Sequence, residues 1–197
     1  MYAGHLDLGT PMWSTADDVL TPAACQGYIE RFEAGQPHVA PIILADGVGV
    51  DEAVRNNERI MWDDEAEANA LLETLRTRLE ASGQALPTAF RGGALVGANP
   101  RLRIYRYRPG QRHGTHWDSE VELEGGAVLS RLTLVVYLND DFAGGHTHFP
   151  ELDVSVSPKR GRALLFQHRL LHEACRVEHG IKYALRTDVL YRAKASR

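Results

Sequence analysis

Ile181-Lys182-Tyr183-Ala184-Leu185-Arg186-Thr187-Asp188-Val189-Leu190-Tyr191 is the stretch whose reading decides the fold. Side chains on a strand alternate between two faces. One face then carries Ile181, Tyr183, Leu185, Val189 and Tyr191, and the other Lys182, Ala184, Arg186 and Asp188. The apolar face asks for a packed layer. The polar face is either solvated or lines a polar cavity. Residues 131–138 repeat the pattern, with Leu132, Leu134, Val136 and Leu138 opposite Arg131, Thr133, Val135 and Tyr137.

Around these two runs lie further short β-rich segments at 102–108, through 116–118, near 147–149, 154–156 and 163–166. Pro109-Gly110, Gly125-Gly126, Asn139-Asp140, Gly144-Gly145, Pro158 and Gly161 punctuate them. Two helices precede them. Thr21-Pro22 offers an N-cap hydroxyl and Pro at the first helical position, Ala24, Tyr28, Ile29 and Phe32 follow at helical spacing, and Gly35 stops the run. A second helix starts after Asp63-Asp64, with Ala68, Leu71, Leu72, Leu75 and Leu79 as its apolar stripe and Gly83 at its end. Residues 56–62 read as a loop entering a short strand, with Met61 and Trp62 as core residues. Helices followed by many short strands predict a mainly β fold, a sandwich or jelly roll with helices against one sheet.

At 197 residues the chain reads as one domain, 1–197, with a helical support region over 1–100 and a β core over 101–192. With 44% hydrophobic and 24% charged residues it has the composition of a soluble globular protein, and a net charge of −4 gives no general attraction to nucleic acid or anionic membrane. No apolar run reaches transmembrane length. The first residues lack a basic and apolar leader, and two cysteines, Cys25 and Cys175, suit a reducing compartment, so a cytoplasmic location is expected.

His116-Trp117-Asp118 carries the chemistry. On an extended chain its imidazole and carboxylate project from one face, and His172, from a later segment, would complete two histidines and one carboxylate on one side of a metal. The motif alone is weak: with 9 His and 26 acidic residues about one such pair arises by chance, and His5-Leu6-Asp7 is another. His146 and His148 form a competing pair, read as rim or surface residues rather than ligands.

Taken in order, Tyr105-x-Tyr107-x-Pro109-Gly110, His116-x-Asp118, 132–139, Gly144-Gly145-x-Thr147-x-Phe149-Pro150, Gly161-x-Ala163-Leu164-x-Phe166 and His172 with Lys182 ten residues on resemble the prolyl-4-hydroxylase-like Fe(II)/2-oxoglutarate-dependent dioxygenases. The match runs from about Leu102 to Arg192. The resemblance implies a double-stranded β-helix (jelly roll) supported by helices on one sheet, with iron held by His116, Asp118 and His172. It implies that Lys182 receives the distal carboxylate of 2-oxoglutarate, with Tyr137 as hydroxyl donor and Thr147 lining the same pocket. Arg186 is a secondary candidate for co-substrate, substrate or Asp188. His113 stands where the family often has Tyr.

The chemistry so implied is hydroxylation of an unactivated C–H bond with Fe(II), 2-oxoglutarate and O₂, ascorbate being a candidate addition. The substrate is expected to be a prolyl or other amino-acid side chain in a peptide, a protein or a small molecule. Residues 119–126, with Glu120, Glu122 and Glu124, read as a mobile lid whose acids are solvated. Arg101, Arg103, Arg106, Arg108 and Arg112 fall on both strand faces in an acidic protein, so nucleic acid is not an expected partner. The competing readings are a non-catalytic metal-binding jelly roll, serving as a sensor or interaction module, a nucleic-acid-directed oxygenase, and a zinc hydrolase, which would want an acid–base carboxylate beside the metal.

Overall fold

The computed structural model describes residues 6–44, 47–49 and 54–193. Its principal elements are β1 (Trp13–Ala16), α1 (Pro22–Ala34), β2 (Glu58–Asp63), α2 (Glu65–Ala81), β3 (Gly93–Ala98), β4 (Arg101–Tyr107), β5 (His113–His116), β6 (Val128–Tyr137), β7 (Thr147–Phe149), β8 (Val154–Val156), β9 (Ala163–Gln167), β10 (His172–Ala174) and β11 (Lys182–Arg192). The larger sheet runs β1-β9-β6-β11-β4-β2, and β3 joins the far end of β11. The smaller sheet runs β8-β7-β10-β5. The pairings in both are antiparallel.

Helix ends form as their sequence signals demand. Thr21 Oγ1 accepts from the Ala24 amide at 3.2 Å, and Asp64 Oδ1 from the Glu67 amide at 2.9 Å. These contacts satisfy amides that have no partner within the helix. The stripe Ala68, Leu71, Leu72, Leu75 and Leu79 is buried and packs in one core with Leu132, Leu134, Val136, Leu185 and Val189, the odd-and-even outer face of β6 and β11. A second core, built on Tyr137, Phe149, Val156, Leu164, Phe166 and Leu170, joins the two sheets. The jelly roll is thus a larger sheet with helices behind it and a smaller sheet in front.

The structure departs from the sequence reading in four places. The first hundred residues hold strands beyond the one expected at 56–62: β1 pairs with β9 and β3 with β11. Four residues, Trp-Ser-Thr-Ala, are too few to show a strand period, which is why β1 escaped notice. Met61 is 39% exposed rather than core, while Trp62 stacks on Tyr28 and donates to Glu67. The strand containing His116 ends there, so Asp118 lies beyond it. Residues 119–126 are no open lid. Glu122-Leu123 pairs with Val128-Leu129 in a hairpin, Glu120 binds Arg131, and Glu124 binds Arg192.

Gly161 ties this scaffold together. Its carbonyl accepts from Val19 and Leu20 at the entry to α1, and its amide donates to Tyr137 O at 2.8 Å. It has φ +79°, and a Cβ there would lie 2.3 Å from Leu20 O. Gly161→Ala must strain its own backbone and displace Leu20, a cost of about 1–3 kcal/mol. Urea unfolding followed by circular dichroism should show that loss; an unchanged midpoint would mean the β9–α1 junction is not tightly held.

Candidate metal centre

The site begins with strand register. In the antiparallel pair β5–β10, His172 stands directly opposite His116. Their rings lie 4.3 Å apart, between centroids. Asp118 is brought alongside not by a strand but by its own amide, which donates to His168 O at 2.8 Å. One ligand atom from each of His116, Asp118 and His172 lies within 4.8 Å of the others. Both Nε2 atoms stand 3.7 Å from a carboxylate oxygen of Asp118.

The protonation states suit a cation. Nδ1 of His116 donates to Gly114 O at 2.8 Å, and Nδ1 of His172 to Leu170 O at 2.9 Å. Each bond fixes a tautomer whose Nε2 lone pair faces the centre. Burial pushes both imidazole pKa values down, that of His116 to about 3, which leaves both neutral and able to serve as ligands. Burial opposes ionisation of Asp118, but the Arg186 guanidinium and the neighbouring histidines outweigh it and hold the carboxyl well below its usual range. Two neutral imidazoles and one carboxylate on one side of a cavity are the donor set of a facial-triad iron site. The residues fit the ion.

Asp118 is held from behind as well. Thr133 Oγ1 donates to its Oδ2 at 2.5 Å, and the same hydroxyl meets His168 Nδ1 at 2.9 Å. Arg186 Nη1 reaches Asp118 Oδ1 at 2.9 Å, and its Nη2 reaches Asp188 Oδ1 at 3.2 Å. Thr133 was legible only as an inward position on β6, and His168 carried no signal in its neighbours.

The triad opens into a small cavity of about 50 Å³. Lys182 and Thr147 line it, and the buried Tyr137 stands behind them. Lys182 is 2% exposed, donates to Gly145 O at 2.6 Å, and stands 5.2 and 5.4 Å from the ring centres of Tyr107 and Tyr137. Tyr137 and Thr147 hydroxyls are 2.8 Å apart. No carboxylate pairs with Lys182 among the described residues. Burial alone brings its pKa down to about 8. An ammonium so placed wants an anionic partner.

Other sequence candidates fall outside. His146 and His148 flank the inward Thr147 and take no part in the ligand group; His148 Nδ1 instead contacts Ser155 Oγ at 3.0 Å. His113 lines the cavity, its ring stacked 3.6 Å from that of His116. The arginines of β4 and its following turn are committed: Arg101 to Asp63, Arg103 to Asp188, Arg106 to Glu33 and Glu58, and Arg108 to Glu58. Arg55 and Tyr105, both buried on the cavity wall, had no role in the sequence reading beyond the tyrosine motif.

A jelly roll with two imidazoles and a carboxylate at one end of its cavity defines the class of facial-triad metal proteins. More narrowly, residues 102–187 match the model of the 2OG-Fe(II) oxygenase superfamily. A putative prolyl 4-hydroxylase of Acanthamoeba polyphaga mimivirus is 39% identical over 74 residues, covering 33% of this chain and 30% of the relative. Prolyl 4-hydroxylase 1 of Arabidopsis thaliana is 24% identical over 194 residues, 85% of this chain and 64% of the relative. The chain therefore spans less than two thirds of either. In fold it is similar to the viral collagen prolyl hydroxylase of Paramecium bursaria Chlorella virus 1, solved as a 2OG complex: TM-score 0.63, 18% identity, 94% of this chain and 98% of that one.

Two expectations follow. Removing the Thr133 hydroxyl with Thr133→Val frees Asp118 from its outer restraint and should weaken Fe(II) binding about 10–100-fold, measured by competition with a fluorescent chelator. Since the protonated Lys182 is the form that attracts an anion, 2-oxoglutarate affinity should fall as pH rises through about 8, by up to about ten-fold per unit. Anaerobic titration should show that slope, and Lys182→Arg should remove it; a flat profile in the wild type would detach Lys182 from the co-substrate.

Proposed function

We propose that this chain is an Fe(II)- and 2-oxoglutarate-dependent dioxygenase, hydroxylating an unactivated C–H bond of a prolyl or other amino-acid side chain. The observation that carries the reading is the meeting of two sites in one cavity, a candidate facial triad and a buried cation with no carboxylate partner among the described residues. His116, Asp118 and His172 would hold the ion. When bound, iron supplies activation of O₂, coupling decarboxylation of 2-oxoglutarate to insertion of one oxygen atom into the substrate.

The protein's own work is positional. Gly114 O and Leu170 O orient the imidazoles, and Thr133 and Arg186 orient the carboxylate. Lys182, with the hydroxyls of Tyr137 and Thr147, would anchor the distal carboxylate of 2-oxoglutarate, and Phe166 walls off water. Arg186 is better read as a support of Asp118 than as a co-substrate ligand, because both of its Nη atoms are already bound to carboxylates. A metal-binding module without catalysis would have no use for a buried ammonium aimed into the cavity.

Residues 1–197 are taken as one working unit, with no nucleic-acid partner. Among the described residues no helix is long and apolar enough to cross a membrane, and both cysteines are free, which supports the cytoplasmic reading. Ascorbate belongs in the assay as a proposed addition.

Anaerobic addition of 2-oxoglutarate to the Fe(II)-loaded protein should give a weak visible charge-transfer band. Asp118→Ala should lose succinate formation, by at least about 100-fold, and Lys182→Ala should raise the concentration of 2-oxoglutarate needed for the band. A folded, iron-replete protein without a band would instead favour the non-catalytic module.

A further inference from the structure

Most buried or half-buried cations of the core are matched by carboxylates. Arg106 meets Glu33 and Glu58, Arg186 meets Asp118 and Asp188, and Arg103 meets Asp188. Two cations of the cavity wall have no carboxylate partner among the described residues: Lys182 and Arg55. Lys182 is assigned above to the co-substrate. Arg55 is then a second unmatched charge, 6% exposed, on the same cavity.

Among the described residues the partners of Arg55 are neutral. Its Nε donates to Asn57 Oδ1 at 2.8 Å, its Nη1 reaches Pro41 O at 3.4 Å, and its Cζ lies 4.8 Å from the ring centre of Tyr105. These contacts fix the guanidinium in place without neutralising it. Unlike Lys182, it cannot shed its proton, since guanidinium stays charged at any pH a protein meets. Its planar fork matches a carboxylate with two parallel hydrogen bonds. The neighbouring hydroxyl registers the field: burial would push Tyr105 up, yet Arg55, Arg186 and Arg103 together bring it down to about 8.

Arg55 is also close to the metal centre. Its backbone bridges that of His113, whose ring stacks on His116. We propose that Arg55 anchors a carboxylate of the substrate, so that the cavity takes an amino acid bearing a free α-carboxylate, alone or as the last residue of a peptide. This rests on the dioxygenase reading above. An internal residue of a peptide chain, with an amide at that place, would leave the guanidinium buried and unmatched.

The test uses the Fe(II)-loaded full chain with 2-oxoglutarate and O₂, reading succinate release. Probes are the twenty free L-amino acids, their carboxamides, short peptides ending in a free prolyl carboxylate, and prolyl peptides blocked at both ends. Charge-assisted hydrogen bonds of this kind correspond to a preference of roughly 10–100-fold in kcat/KM for carboxylate over carboxamide. That preference in the wild type, collapsing toward one in Arg55→Gln and partly kept in Arg55→Lys, is the expected result. Free amino acids against carboxylate-ended peptides then decide the source of the anion. The wild-type comparison needs no variant, so misfolding of Arg55→Gln leaves the test intact.

Equal use of carboxylate and carboxamide, or best turnover on a doubly blocked peptide, overturns the proposal. So does a protein that forms the 2-oxoglutarate band but responds to no carboxylate probe; that outcome leaves the dioxygenase reading standing. Absence of the band itself would remove the reading on which the proposal rests.

Discussion

The pairing of His172 across from His116 is the constraint on which the site depends. In an antiparallel ladder a slip of one residue turns every side chain to the other face. One such slip between β5 and β10 would send an imidazole out of the cavity and leave Asp118 with a single neighbour. The register is fixed from both sides. β10 is also paired to β7, where Thr147 meets Ala174, and the core of Phe149, Phe166 and Leu170 presses the smaller sheet onto the larger. Packing therefore does chemical work here, since the distance between two ligands is a consequence of sheet register and of the apolar layer behind it.

Asp118 shows how a ligand off the strand is held to similar tolerance. It sits beyond β5, yet its amide is tied to His168 O, its Oδ2 to Thr133 and its Oδ1 to Arg186. Arg186 in turn leans on Asp188, which takes Arg103 as well. A buried carboxylate between two histidines would be costly alone. Within this chain of alternating charges it is ionised and oriented before any cation arrives, which is the preorganisation a metal site requires.

Much of this was legible in the sequence, and the reasons differ by element. The helix caps and the stripe from Ala68 to Leu79 follow from local rules that tertiary context did not override. The alternation in β6 and β11 was readable because one face had to pack on helices and the other had to face a cavity. β1 and β3 were not readable: one is four residues long and the other carries Gly at both Gly93 and Gly97, so neither shows a clear period. The hairpin over 122–129 was hidden because its acids and Gly125-Gly126 read as a solvated loop, with no alternation in the two paired residues Glu122-Leu123 to mark a strand. Arg55 was illegible for a deeper reason. It follows a segment without periodicity, and its significance lies in having no carboxylate partner among the described residues, a property visible only once the ion pairs of Arg103, Arg106 and Arg186 are known.

Lys182 and Arg55 show why the identity of an unmatched cation matters. A lysine in a dry cavity can lower its cost by losing a proton, and the depressed pKa of Lys182 records that escape. It therefore suits a co-substrate that must bind and leave in each turnover, because the empty site has a tolerable neutral form. Arginine has no such escape, and the protein instead surrounds Arg55 with Asn57 Oδ1, a carbonyl and an aromatic face. Those neutral contacts are enough to keep the charge buried but too weak to match it. A site of that kind favours occupancy by an anion over occupancy by water or by an amide. On the proposed reading it discriminates among ligands by charge on the cavity wall beside His113, and Lys182 does the same beside Gly145. Two cations of different chemistry can then sort two anions into two places beside one metal.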